Sequence, residues 1–144
     1  MIGLWLTLLA VLVSDQTLKF LLRRRMGRDA LALGRFGSVR MVAGQLWLRR
    51  LGVQPNGVAV CSFWVAAAVA LVIISTRIHS SGIFVGLLLG GSLSNLVESS
   101  LRGTISDYVC PRFWPTFNLA DLALTVGAIG TLTELLIVGH RMAS

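Results

Sequence analysis

The sequence has little charge, proline, cysteine or histidine. Of its 144 residues only 13% are charged, and there are three prolines, two cysteines and two histidines. Such a small charged fraction leaves little soluble surface, so we expect no nucleic-acid partner. The two cysteines, Cys61 and Cys110, lack the spacing of a metal site. We therefore expect two free thiols and no metal ion.

What the chain has instead is long apolar runs, with 55% hydrophobic residues and a mean hydropathy of +0.79. Apolar stretches of about 18 residues or more are typical of membrane-spanning helices. Four such stretches are present: Ile2–Leu22, Gly57–Ser75, Gly82–Leu101 and Leu119–Val138. Together with their connections they occupy the chain. We therefore expect an all-α membrane protein with four transmembrane helices, forming a single domain over residues 1–144.

Basic residues are concentrated in the connection between the first two apolar runs. It holds eight of the thirteen lysines and arginines: Arg23, Arg24, Arg25, Arg28, Arg35, Arg40, Arg49 and Arg50. Such a cluster beside a membrane favours contact with anionic lipid headgroups. Alternation over residues 30–44 predicts a small surface β-sheet, and "GQLWLRRLG", residues 44–52, predicts a short interfacial helix.

Polar residues inside the apolar runs share one end of the predicted bundle. They form three pairs at helical spacing: Asp15 with Lys19, Asn95 with Glu98, and Asn118 with Asp121. The end of the first helix, the end of the third and the start of the fourth lie on the same side of the membrane. Ionisable groups within a bilayer are costly, so their clustering indicates a functional site. For Asp15 and Lys19 a purely structural ion pair is an equal alternative, as is an interhelical hydrogen bond for Asn95.

Two aspartates stand out within this cluster. Asp107 lies just past the third predicted helix, and Asp121 lies at the start of the fourth. Neither has a lysine or arginine within a helical turn that would neutralise it. Two converging carboxylates that share one proton suit aspartyl hydrolysis, in which one ionised and one protonated group act together on water and a carbonyl. Such chemistry needs no cofactor.

Three blocks of the chain resemble the lipoprotein signal peptidase (signal peptidase II) family of bacterial membranes. "SDQTLKFLL" from Ser14 resembles the family's D-Q-x-x-K stretch. "GGSLSNLVESSLRGTISDY" from Gly90 resembles its G-G-x-x-x-N-x-x-D-R…G-x-V-x-D-[FY] block, and "FNLADLALTVG" from Phe117 resembles its F-N-[VIL]-A-D-[SA] block. The blocks occur in order and with compatible spacing.

The resemblance implies a role for each matched residue. Asp107 and Asp121 fall on the catalytic aspartates, and the remaining matched positions, which support the site, are Asn95, Asn118, Asp15, Lys19 and Glu98. The implied activity is a membrane aspartic endopeptidase that cleaves the signal peptide of diacylglyceryl-modified prolipoproteins before the lipid-modified cysteine. The implied location is the bacterial inner membrane, with the active site toward the exported side.

The chain departs from the family pattern in two places. The family's N-x-G-A-A-F box corresponds to "VAGQLW", so Val42 replaces the asparagine, Gly44 is kept and Trp47 replaces the phenylalanine. These three positions are expected to line the substrate groove. In the third helix, the D-R pair becomes Glu98 followed by Ser99.

These departures leave other functions open. One alternative is a catalytically altered or inactive paralogue, and another is a small four-helix proton-coupled transporter that uses Asp15. The charge distribution also opposes the implied orientation, since the positive-inside rule would place the arginine-rich connection in the cytoplasm. We follow the resemblance and expect that connection on the exported side.

Overall fold

The computed structural model describes residues 1–26, 30–44, 57–77 and 82–143. Four long helices and one small sheet make up the described chain. The helices are α1 (Ile2–Met26), α2 (Gly57–Arg77), α3 (Ile83–Arg102) and α4 (Leu119–Ala143), and the strands are β1 (Leu31–Ala32), β2 (Gly37–Gly44) and β3 (Ile105–Pro111). All four helices are long and apolar enough to cross a membrane. The predicted four-helix membrane fold with a small sheet is confirmed.

Helix α1 is longer than the predicted apolar run, because the arginines that follow this run are also helical. The first run was expected to end at Leu22, but α1 continues to Met26. Its last turn therefore carries Arg23, Arg24 and Arg25, which we had placed in the connection. Basic side chains in a last turn face the negative end of the helix dipole, which favours this extension.

Helix α3 lies at the centre of the bundle, between α1 and α4. A Cβ atom added at Gly86 would lie 2.5 Å from the Leu4 carbonyl oxygen of α1, and one at Gly127 of α4 would lie 2.5 Å from the Leu88 nitrogen. These glycines let the backbones approach closely, as small residues do in membrane bundles. Helix α2 packs at the edge of the bundle, where Trp64 Nε1 donates to Ser92 Oγ at 2.9 Å.

The sheet is antiparallel, with the strand order β1-β2-β3. Strands β1 and β2 confirm the strand pair predicted over residues 30–44. The predicted interfacial helix, together with Trp47, lies outside the described residues. Strand β2 pairs with β3 from Gly37 opposite Pro111 to Gly44 opposite Ile105, with an irregularity between Val39 and Val42.

Strand β3 was not predicted. We expected Asp107 just past the third helix, and it does follow that helix, but within a strand that also contains Cys110. Gly103, with φ 72°, ends α3 and turns the chain into this strand, while its N–H bonds the Ser99 carbonyl. Asp107 is therefore held by a β ladder and not by a free loop.

Candidate active site

The floor of the polar cluster is a buried ion network. Lys19 Nζ lies 2.7 Å from Asp15 Oδ2 and 2.9 Å from Glu98 Oε2, and all three side chains have at most 1% exposure. The sequence-predicted pairing of Asp15 with Lys19 is therefore present, with Glu98 as a third member. Burial makes this arrangement costly to disrupt, because removing one partner leaves an uncompensated charge.

A second cation completes the network. Arg23 Nη2 forms an ion pair with Glu98 Oε1 and donates to Ser106 Oγ at 2.8 Å. Arg23 was grouped with the arginines expected at lipid headgroups, but the extension of α1 directs its guanidinium toward α3 and β3. The network thus contains two cations and two carboxylates, so its net charge is zero.

Asn95 connects this network to Asp121. Its Oδ1 accepts from Lys19 Nζ at 3.0 Å, and its Nδ2 donates to Asp121 Oδ1 at 2.9 Å. An ammonium group can only donate, so it fixes which end of the Asn95 amide faces it. Lys19 thereby orients a hydrogen-bond donor toward the carboxylate of Asp121.

Asn118 joins the two aspartates. Its Nδ2 donates to Asp107 Oδ1 at 3.0 Å, and its backbone N–H donates to Asp121 Oδ2 at 3.1 Å. In return its Oδ1 accepts from the Asp121 N–H at 2.9 Å, which caps the start of α4. One fully buried residue therefore positions both carboxyl groups.

Asp107 is partly buried, and its surroundings favour the neutral form. Burial raises the pKa of the Asp107 carboxyl, and the nearby charge of Asp121 raises it further, against the lowering effect of hydrogen bonds from Thr116 and Asn118. Thr116 Oγ1 lies 3.2 Å from Asp107 Oδ2. A hydroxyl can donate or accept, so this contact is compatible with a proton on that oxygen.

Two of the three positions expected to line the substrate groove, Val42 and Gly44, lie on the neighbouring strand β2. Val42 pairs directly with Asp107 across the β2–β3 ladder. Directly opposed residues in an antiparallel pair project from the same face of a sheet, and Gly44 is two positions further along. A Cβ added at Gly44 would lie 2.9 Å from Asp107 Oδ2, so Gly44 leaves the space that this carboxyl occupies. Trp47 lies outside the described residues.

Replacing Gly44 with alanine is expected to displace the Asp107 carboxyl. If Asp107 is catalytic, as the family resemblance implies, kcat should fall about tenfold, because reacting groups tolerate little misplacement. Gly44 has no left-handed backbone conformation, but the added Cβ would also lie 3.2 Å from the Ile105 carbonyl oxygen, so kcat is normalised to folded protein. The measurement is peptide cleavage by the purified variant, with Gly139→Ala as the control, since a Cβ there meets nothing within 4 Å. An unchanged kcat for Gly44→Ala would show that Asp107 has room to move.

Several contacting residues were missed in the sequence. Tyr108 is buried and its hydroxyl accepts from the Leu119 N–H at 2.8 Å, while burial raises the pKa of its phenol. Ser94 Oγ donates to Asp15 Oδ2 at 2.7 Å. The others are Arg23, Ser106 and Thr116. A polar residue every fourth position on α3 was the available signal for Ser94, whereas nothing local marked the residues of the strand.

Fold and site together define a multi-pass membrane protein with two neighbouring carboxyl groups at one end of its helix bundle. A family model described as signal peptidase (SPase) II matches residues 7–137. The chain therefore belongs to the signal peptidase II family, as its three sequence blocks predicted.

Named relatives agree with this assignment. The chain is 35% identical over 101 residues to a lipoprotein signal peptidase of Streptomyces coelicolor, covering 58% of this chain and 50% of that protein. It is 33% identical over 97 residues to one of Mycobacterium leprae, covering 62% and 43%. The chain thus spans about half the length of the curated relatives it matches. A bacterial membrane enzyme of known structure superimposes with a TM-score of 0.73 at 21% identity, covering 91% of this chain and 90% of that one, which shows a shared fold.

Proposed function

We propose that this protein is a membrane aspartic endopeptidase that cleaves diacylglyceryl-modified prolipoproteins before the lipid-modified cysteine. The observation that carries the proposal is that Asn118 donates hydrogen bonds to the carboxyl groups of both Asp107 and Asp121. Membership of the signal peptidase II family supplies the substrate class. The proposed location is the bacterial inner membrane, with the aspartates toward the exported side.

The two carboxyls have different surroundings, which suggests separate roles. Both oxygens of Asp121 accept from N–H groups, those of Asn95 and Asn118, and such groups can only donate. Asp121 is therefore the ionised member and Asp107 carries the shared proton. This division follows a general rule: of two neighbouring carboxyl groups, one is ionised and the other protonated, because two negative charges so close together repel each other.

The reaction then balances with water as the only co-reactant. Asp121 takes a proton from water while the water oxygen bonds to the scissile carbonyl carbon, and Asp107 gives its proton to the carbonyl oxygen. As the tetrahedral intermediate collapses, the C–N bond breaks and the amine nitrogen takes the proton from Asp121. The hydroxyl proton then returns to Asp107, which restores the starting pair.

The test is incubation of the purified protein in detergent with a synthetic prolipoprotein peptide that carries diacylglyceryl on its cysteine. We expect a product that begins at the lipid-modified cysteine, identified by mass spectrometry. The unmodified peptide is the matched control and is expected to remain intact. No cleavage of the lipidated peptide by folded protein would favour the inactive paralogue.

A transporter function finds less support. The carboxyl of Asp15 is fully buried and paired with Lys19, while its oxygens also accept from Ser94 and from the Ala120 N–H. A proton carrier needs a carboxyl that is released and reloaded during the cycle. Asp15 is held by too many fixed donors to suit that task.

The proposed roles predict the high-pH limb of the activity profile. Since Asp107 must be protonated, kcat/KM is expected to fall as pH rises through the pKa of this carboxyl. Burial and the charge of Asp121 raise that pKa above the ordinary value of 3.8, so the fall is displaced to higher pH. The measurement is kcat/KM against pH, with the protonated carboxyl followed by infrared spectroscopy. A rate that continues to rise while Asp107 loses its proton would assign the acid to another group.

Val42→Asn is expected to tighten binding of a peptide-like inhibitor by up to about tenfold, because it restores an amide that can hydrogen-bond a peptide backbone. Val42 lies on the same face of the sheet as Asp107. Ala43→Asn is the matched control, since the adjacent exposed residue projects from the opposite face. An inhibition constant unchanged by Val42→Asn would place this position outside the groove.

A further inference from the structure

Ser106, the residue immediately before Asp107, is bonded to two helices and to the residue that caps a third. Its hydroxyl oxygen accepts from Arg23 Nη2 of α1 at 2.8 Å, and its N–H donates to Glu98 Oε2 of α3 at 3.1 Å. Its carbonyl oxygen accepts from Asn118 Nδ2, at the start of α4, at 3.3 Å. Every polar group of Ser106 is therefore engaged, and the backbone that enters Asp107 is held from three sides.

Arg23 is the member of this arrangement that reaches across helices. Its guanidinium pairs with Glu98 and contacts Ser106, and its side chain is 24% exposed where that of Glu98 is 1% exposed. The resembled family has an arginine after the third-helix carboxylate, where this chain has Ser99. The Ser99 hydroxyl bonds the Leu96 carbonyl within α3. In this chain the arginine that contacts the third-helix carboxylate comes from α1.

We propose that Arg23 and Ser106 form a clamp that positions Asp107 for catalysis, with Arg23 as a positioning residue. The clamp joins the end of α1 to the start of β3 through one guanidinium, and it holds Glu98 against the same strand. Neither residue contacts the reacting atoms. This proposal rests on the proposed endopeptidase function, because its effect is exerted on Asp107.

Charge balance explains why a cation is needed at this place. With Arg23 present, Glu98 has two cationic partners, Arg23 and Lys19. Without Arg23, Lys19 is the single cation that pairs with both Asp15 and Glu98. Its hydrogen bond to Asn95 then competes with two stronger ion pairs for the same ammonium group. Because Asn95 donates to Asp121, loss of Arg23 disturbs both aspartates through separate routes.

The test compares steady-state kinetics of Arg23→Gln, Arg23→Lys and Ser106→Ala, each normalised to folded protein. For Arg23→Gln we expect kcat to fall about tenfold to a hundredfold with KM changed less than threefold, because misplacement of a reacting group acts on the chemical step. Arg23→Lys retains the charge, so its kcat should fall less. We expect the decrease in log kcat to be at most half of that for Arg23→Gln. Arg25→Gln, the same change at an exposed site on the same helix end, is the matched control.

A double variant separates positioning from general stability. If the clamp acts as a unit, Arg23→Gln with Ser106→Ala lowers kcat no further than Arg23→Gln alone, because both changes remove the same contact. Effects of the single variants that multiply would contradict the clamp. A wild-type kcat in folded Arg23→Gln would overturn the positioning role alone, whereas wild-type protein that cleaves no lipidated peptide would overturn the proposed function itself.

Discussion

Replacing either Asp107 or Asp121 with asparagine is expected to abolish cleavage, with kcat lowered by at least about 10²–10⁴-fold, the usual worth of a general acid or base. Asparagine has nearly the shape of aspartate but cannot exchange a proton at the reacting centre. In each variant one carboxyl remains, and one carboxyl cannot act both as base toward water and as acid toward the carbonyl. The measurement is single-turnover cleavage of the lipidated peptide.

The Asp107→Asn variant should remain folded, so that a loss of its activity can be assigned to the missing carboxyl. The Asn118 amide has Ser106 O and Asn95 Oδ1 as further acceptors, so it keeps partners when Asp107 changes. Thermal unfolding of Asp107→Asn in detergent should therefore shift only slightly. In Asp121→Asn the new amide NH2 faces an N–H donor of Asn95 or Asn118, so its kcat is normalised to folded protein. Thr133→Ala, a change at an exposed position further along α4, is a control expected to cleave normally. Full turnover by either asparagine variant would exclude the carboxyl pair as the catalytic centre.

The second large effect is expected on stability. Lys19→Met should lower the free energy of unfolding by about 3–5 kcal/mol, because it leaves the buried carboxylates of Asp15 and Glu98 without their shared cation. Methionine preserves most of the side-chain volume, so the loss reports charge more than packing. Unfolding of the purified variant in mixed micelles by denaturant titration measures the change.

The control for this prediction lies on the same helix. Arg25→Met removes one positive charge at an exposed position and is expected to change the unfolding free energy by less than about 0.5 kcal/mol. A similar small change for Lys19→Met would mean that the bundle does not depend on the ion network. Lys19→Met should also weaken catalysis in the protein that remains folded, since Asn95 loses the donor that orients its amide.

The four helices could be predicted from the sequence because a bilayer imposes a simple requirement. A segment that crosses it must be long, apolar and helical, since only a helix satisfies its own backbone hydrogen bonds there. The same requirement made the polar residues of the site conspicuous. Asp15 and Lys19 could be paired from spacing within one helix, and Asn118 with Asp121 from the same spacing at a helix start, where Asn118 caps α4.

The contacts between elements were decided by the tertiary structure. Strand β3 is a strand because β2 pairs with it, and no local pattern in "ISDYVCP" required that partner. The placement of Arg23 on Glu98 and Ser106 depends on where the last turn of α1 ends relative to α3 and β3. The register that sets Val42 opposite Asp107 depends on the irregularity between Val39 and Val42.

The sequence by itself therefore determined the membrane class, the four helices, the family blocks and seven of the residues that gather at one end of the bundle. These properties depend on composition and on spacings within single helices. Only the tertiary structure decided that one asparagine joins the two aspartates, and that an arginine from the first helix reaches the residue before Asp107. Such contacts join residues that are far apart in the chain, and their geometry depends on helix packing and strand register, which spacing along the chain does not encode.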